Sequence, residues 1–137
     1  MIDNRPITGW EAGIIFKSEQ EAYLESLSNG SQISTLCFNE ESSGSDPSSI
    51  TMTAKFNPDD ETYYLSGTKK WVANPYLSNL YIVFVKTRTK NYMGQDDILL
   101  SAFIVDSKDG GVSVKEKYET TAFSGLSFAD VEFNCKG

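Results

Sequence analysis

The sequence has no histidine, two cysteines and little positive charge in its 137 residues. Without histidine the chain lacks the usual general base near neutral pH and the usual metal ligand. Triads of the Ser-His or Cys-His kind are excluded within it. Cys37 and Cys135 are too few for a disulfide framework or a four-cysteine zinc site, so no metal centre is expected. No run of about 18 apolar residues occurs, which excludes a membrane-spanning helix. The opening "MIDNRPITGW" has no basic start leading into an apolar stretch, so no signal peptide is expected. Twelve Lys and Arg against 19 Asp and Glu give a formal charge of −7. The basic residues are scattered, which argues against a nucleic-acid partner.

What is present suits one packed domain: the length is that of a single core, and 39% of the residues are apolar. The stretch "SEQEAYLESLSNG" reads as a short helix, with Ser18 and Glu21 spaced as a capping box and Gly30 as the stop. Tyr23 and Leu27 share one face of it, with Leu24 beside them. A helix this short must lean on something else.

From Ser31 onward the pattern is β. Strands are expected over Ile33–Phe38, Ile50–Phe56, Thr62–Leu65, Lys69–Ala73, Leu80–Thr87, Ile98–Val105, Val112–Lys117 and Ser127–Asn134, separated by turn-forming residues. The expected fold is therefore mainly β, an antiparallel barrel or sandwich preceded by a short helical segment. "SGT" between Tyr63–Leu65 and Lys69–Ala73 reads as a hairpin turn with Gly67 at positive φ. "KNYMGQDD" reads as an exposed loop.

Two strands, "LYIVFVKT" and "ILLSAFIV", are apolar on both faces and so call for cover on both. One short helix cannot cover the outside of the sheet. The inference is a piece of a larger chain whose other parts pack on the sheet. The alternatives are an ordinary sandwich core or a free-standing barrel that binds a small apolar ligand.

Two motifs follow one another in a set order. "LCFNEESSGSD", Leu36 to Asp46, comes first, and "YYLSGTKKWVANPYLSNLYIVFVKT", Tyr63 to Thr87, comes second. "SAFIVDSKDGGV" and "DVEF" come after. This order resembles the middle domain of the acyl-CoA dehydrogenases, most closely the very-long-chain branch. That family carries T-E-P-x-x-G-S-D, then G-x-K-x-W-I-T-N-G, a strand ending F-A-K-T, and A-F-I-V followed by G-G-V. The resemblance covers about Ile14 to Phe133. It implies that residues 1–30 end an N-terminal helical domain and that 31–137 form the middle β-barrel. It also implies that the C-terminal helical domain, with the catalytic glutamate, lies outside this sequence. No catalytic residue is therefore expected here, and the fragment alone should be inactive.

The resemblance further implies FAD as cofactor and a fatty acyl-CoA thioester as substrate, with dehydrogenation between Cα and Cβ. It implies the chain's own helical domains, a homo-oligomer and an electron-accepting protein as partners, and a mitochondrial location. By the same resemblance Leu36, Phe38, Asn39, Gly44 and Ser45 line the flavin, with Ser45 also near the acyl chain. Trp71 lays its indole against the flavin, and Val72 and Ala73 continue that wall. Read without the family, Trp71 would be a core tryptophan and Ser42 to Ser45 a plain turn. Glu40 and Glu41 read as a solvated acidic pair pointing opposite ways.

The sequence departs from the family pattern at several places. Asn39 stands for the threonine and Glu41 for the proline. Ala73 stands for a hydroxyl residue near flavin N5, and Pro75 for a glycine. "AFSGLSF", Ala122 to Phe128, keeps Gly125 but loses a basic and two polar residues. Loss of one neutral hydrogen bond at Ala73 costs about 0.5–1.5 kcal/mol, a factor of ten or less in affinity. The departures together keep open a relative with lost or weakened chemistry that serves as an assembly scaffold.

Overall fold

The structure is a computed structural model that describes residues 7–8, 17–60 and 62–136, with side chains from residue 21 onward. Among the described residues one α-helix and eight strands run in the order β1 (Ile7–Thr8), α1 (Lys17–Ser28), β2 (Ser34–Cys37), β3 (Thr53–Asn57), β4 (Thr62–Ala73), β5 (Leu80–Lys90), β6 (Asp96–Asp106), β7 (Val112–Lys117) and β8 (Phe128–Lys136). The expected mainly β fold with a short helical lead-in is what the chain adopts. The strands form one curled sheet in the order β1-β6-β5-β3-β4-β8-β7, with β2 also paired to β5. No helix among the described residues is long and apolar enough to cross a membrane.

Several local expectations are corrected. "SGT" is not a hairpin turn: Thr62 to Ala73 is one continuous strand. Gly67 does hold φ 152°, but for room rather than reversal, because an added Cβ would lie 2.8 Å from Met52 Cγ. The real reversals lie elsewhere. β3 turns into β4 just after Asn57, and β5 into β6 through Asn91–Gln95, where Asn91 N–H donates to Gln95 O at 2.9 Å. Asn91–Gln95 of "KNYMGQDD" are a loop as expected, exposed from Tyr92 on, while Lys90, Asp96 and Asp97 belong to the hairpin ladder, which runs from Leu80–Asp106 to Lys90–Asp96. Ile50 is buried but precedes its strand, since Pro47–Ser49 make a 3-10 turn and β3 begins at Thr53. Ser18 lies inside α1 rather than before it, and its side chain falls outside the described residues. Gly30 holds φ 75° just past the helix, as a C-terminal stop requires.

The ladders are mostly antiparallel, but β2 and β3 both pair with β5 in parallel. Ser34 to Cys37 lie opposite Leu80 to Val83, and Thr53 and Ala54 opposite Lys86 and Thr87. β3 also pairs antiparallel with β4 through Thr53–Ser66 to Asn57–Thr62. Beyond it, β2 reaches the far end of β4: Thr35 Oγ1 donates to Ala73 O at 2.8 Å, and Lys70 N–H donates to Asn39 O at 2.7 Å. The two short strands therefore occupy one lane between β4 and β5. The polar stretch between them leaves the sheet and returns to it.

The core lies in the concave side of the curl. Tyr81, Val83 and Val85 of β5 meet Phe103 and Val105 of β6 and Val131 and Phe133 of β8, all under 5% exposed. On the convex side Ile82, Phe84, Ala102 and Ile104 are only half-buried. The two-faced apolar pattern of the sequence is thus real, and the second face is incompletely covered by the described residues.

Candidate cofactor surface

At the end of the β2–β4 lane, side chains part by alternation. Cys37 and Val72 turn into the core at 0% and 1% exposure. Leu36 and Trp71, at 62% and 50%, turn outward, and Phe38 and Ala73 are half-buried. Val72 therefore offers the outer surface its backbone only. Phe38 is braced edge-on by Phe84, centroids 5.1 Å apart. Because Lys70 is bonded to Asn39, the entry to the polar bend and the residue before the indole are hydrogen-bonded neighbours.

Trp71 is presented outward by a bulge. The β4–β8 register slips between Lys69 and Val72, and Trp71 takes φ 53°, a strained value for an aromatic residue. Its indole stacks on Tyr118 at 4.1 Å and 9°, and Phe128 lies 6.1 Å away. Asp130 holds this array. It accepts from Tyr118 Oη and from Trp71 N–H, and it pairs with Lys70 Nζ at 2.8 Å. Burial pushes the Asp130 carboxyl up, but the Lys70 and Tyr118 bonds outweigh it and hold the pKa below the ordinary value. Beside the indole runs an open groove lined by residues 119 to 123 and Phe128.

The polar bend is compact at its base and open at its tip. Glu40 N–H donates to Ser43 O at 2.7 Å and Ser43 N–H to Glu40 O at 3.2 Å, which closes a four-residue turn. Ser43 is buried, with Oγ donating to Asp46 O. Asp46 in turn accepts from Ser48 and Ser49. Gly44 and Ser45 are exposed, and a Cβ on Gly44 would meet open space. Among the described residues no acceptor meets the N–H of either. These are donors that an anionic or carbonyl-bearing ligand can use.

The pair Glu40–Glu41 is not a solvated acidic pair. Glu41 is exposed, but the Glu40 side chain is 5% exposed and ion-paired at 2.7 Å with Lys69, which is 0% exposed. The same carboxylate accepts from Thr51 N–H at 2.7 Å, Thr51 Oγ1 at 2.6 Å and Met52 N–H at 3.0 Å. Burial pushes Glu40 up, yet the Lys69 and Thr51 bonds prevail and lower its pKa; burial also lowers that of Lys69. Sequence reasoning missed this pair and Tyr118. The signal for the first was present: in β4, Leu65, Gly67 and Lys69 share one parity, and an inward lysine requires a buried acceptor. Tyr118 carries no such signal, since it lies past the end of β7.

Leu36, Phe38, Trp71 and Ala73 thus lie on the outward side of the β2–β4 lane, and Asn39, Gly44 and Ser45 are exposed in the bend that leaves it. No group of carboxylates or thiols suited to a metal occurs among the described residues.

The curled sheet is that of the barrel in flavin-dependent dehydrogenases. An acyl-CoA dehydrogenase of Bacillus anthracis complexed with FAD superposes with a TM-score of 0.76 at 26% identity, over 88% of this chain and 20% of that one. The butyryl-CoA dehydrogenase of Megasphaera elsdenii gives 0.74 at 26%, over 88% and 30%. Residues 35–135 match the family described as acyl-CoA dehydrogenase, middle domain. The bovine mitochondrial very-long-chain specific acyl-CoA dehydrogenase is 33% identical over 129 residues, 92% of this chain and 20% of its own length. A probable acyl-CoA dehydrogenase of Bacillus subtilis is 30% identical over 116 residues, 83% of this chain and 18% of its own length. The chain belongs to the acyl-CoA dehydrogenase family, as its middle domain. It spans about a fifth of the length of these curated relatives.

Proposed function

We propose that this chain is the flavin-facing barrel of an FAD-dependent dehydrogenase acting on fatty acyl-CoA thioesters. The full-length protein would place helical domains on the convex face and supply the catalytic carboxylate from its C-terminal part. The observation that carries the reading is that Leu36, Phe38, Trp71 and Ala73 face outward along one lane, whose hydrogen bond from Lys70 to Asn39 ties the indole's strand to the bend carrying exposed Gly44 and Ser45. A flat aromatic cofactor suits it. Apolar side chains and an indole offer a wall, and the Gly44 and Ser45 amides offer donors, that of Gly44 with no Cβ beside it. FAD bound there would accept the hydride removed from the acyl chain. Ser45, exposed in the bend, would meet the thioester as well as the cofactor.

The array beneath Trp71 restricts how the ring is approached. Tyr118 stacks on the indole at 4.1 Å, so that face of the indole is taken and the flavin would meet the other face or the edge. A mitochondrial location, supported by the very-long-chain relatives, a homo-oligomer and transfer of electrons to a carrier protein complete the reading. The test is reconstitution. Full-length protein should regain the oxidised-flavin absorption band when FAD is added and should oxidise palmitoyl-CoA with an artificial acceptor. Absence of the band after reconstitution overturns the reading.

One observation favours a second reading, that of a relative kept as an assembly scaffold. Ala73 stands on the outer surface with no hydroxyl to offer a flavin. Flavin-free protein that still assembles with its usual partners would support this; palmitoyl-CoA oxidation would defeat it.

A further inference from the structure

The polar excursion from Asn39 to Met52 departs and returns at one place, and that place is Lys69. Its Nζ lies 2.7 Å from Glu40 Oε1 and 3.5 Å from Phe38 O on the outgoing side. Through Glu40 it reaches Thr51 and Met52 on the returning side. Met52 lies over Gly67, two residues before Lys69, where any larger residue would collide with it. Asn39 accepts from Lys70, one residue after it. Trp71 follows at the bulge. Five residues of β4 thus carry both the neck of the loop and the indole. A buried ion pair joins the two without touching the outer surface itself.

We propose that Glu40 and Lys69 are positioning residues that fix the Gly44–Ser45 tip relative to Trp71, so that loop and indole present one surface to a planar cofactor. This rests on the cofactor reading above, but its first readout does not. A pair retained for stability alone would be replaceable by apolar residues of similar size, often without loss. A pair retained for position would not, because the Thr51 and Met52 amides would lose their acceptor.

The experiment uses the full-length protein with Glu40→Leu combined with Lys69→Met, and Glu40→Gln alone as a second variant. Hydrogen exchange is followed in residues 41–52 and in the β5–β6 hairpin, and FAD binding is titrated. The expected result is exchange in 41–52 faster by about tenfold or more, hairpin protection as in the parent, and FAD binding weaker by about tenfold. Unchanged exchange in 41–52 overturns the proposal. So does equal acceleration in the hairpin, or failure of both variants to fold, either of which makes the pair merely structural. Local loosening with unchanged FAD affinity also overturns it. If the parent itself binds no FAD, the cofactor reading fails, and with it the role in cofactor presentation. The exchange data then decide the clamp by themselves.

Discussion

A lysine with 0% exposure in a 137-residue chain makes sense only with its partner in place. Removing that partner's charge, as in Glu40→Gln, leaves a buried cation uncompensated and should cost about 3–5 kcal/mol, read from urea melts. The pair also fixes an acid limb. Glu40 has its folded-state pKa below the ordinary 4.5, so the unfolded chain takes up the proton first as pH falls. Its stabilisation is present above about 4.5 and is lost as pH falls through the lower folded-state value. Glu40→Gln should flatten that part of the stability–pH curve. The neighbouring thiol is equally constrained: burial pushes Cys37 up to about 12, with Lys69 only partly opposing it. Alkylating reagents at pH 8 should leave Cys37 unlabelled in the folded protein and label it in denaturant, as mass spectrometry would show. These effects were legible only in part. The loop sequence marks Glu40 as a carboxylate in a polar stretch, but only the register of β4 reveals that a lysine lies beneath it.

At the level of elements, β4 shows why local turn chemistry misled. "SGT" has the composition of a reversal, yet Gly67 sits mid-strand because Met52 needs the space above it. Tertiary packing decided what the tripeptide does. Gly67→Ala should cost about 1–3 kcal/mol, because its Cβ would lie 2.8 Å from Met52 Cγ at a φ of 152° that side-chain-bearing residues rarely adopt. Gly111→Ala is the harsher change. It holds φ 76°, and its Cβ would come within 2.3 Å of Asn134 O, which is backbone. Its melting midpoint should fall further than that of Gly67→Ala, which calorimetry on the two variants would rank. The two long strands of the β5–β6 hairpin were legible because both faces are apolar. Their extension to Lys90 and Asp96 was not, since those ends are polar and held only by the ladder. The bulge at Trp71 leaves no trace in composition, although it is what turns the indole outward.

For the molecule as a whole, the half-covered convex face and the exposed Leu36, Leu77 and Phe123 predict an adhesive surface. The chain alone should bind a hydrophobic dye, and the full-length protein much less; equal fluorescence from both would argue against cover by further domains. Trp71→Ala in the full-length protein should lower flavin content more than Tyr76→Ala, by absorbance after purification. Tyr76 is also exposed, but its hydroxyl is spent on Lys115 O, away from the bend. The architecture was largely readable from strand spacing and motif order. The candidate site was readable only through family resemblance, because the shared lane that brings β2 beside the end of β4 is announced by no sequence spacing.

That lane has an evolutionary corollary. Since β2 and β3 are each anchored to both β4 and β5, the part of the stretch between them that lies outside the Glu40, Thr51 and Met52 clamp can change in length or composition while the flanking pairings stay in register. The barrel behaves as a socket with an exchangeable insert. If the proposed cofactor reading holds, a change in that insert would alter cofactor grip while the scaffold's pairings stay as they are.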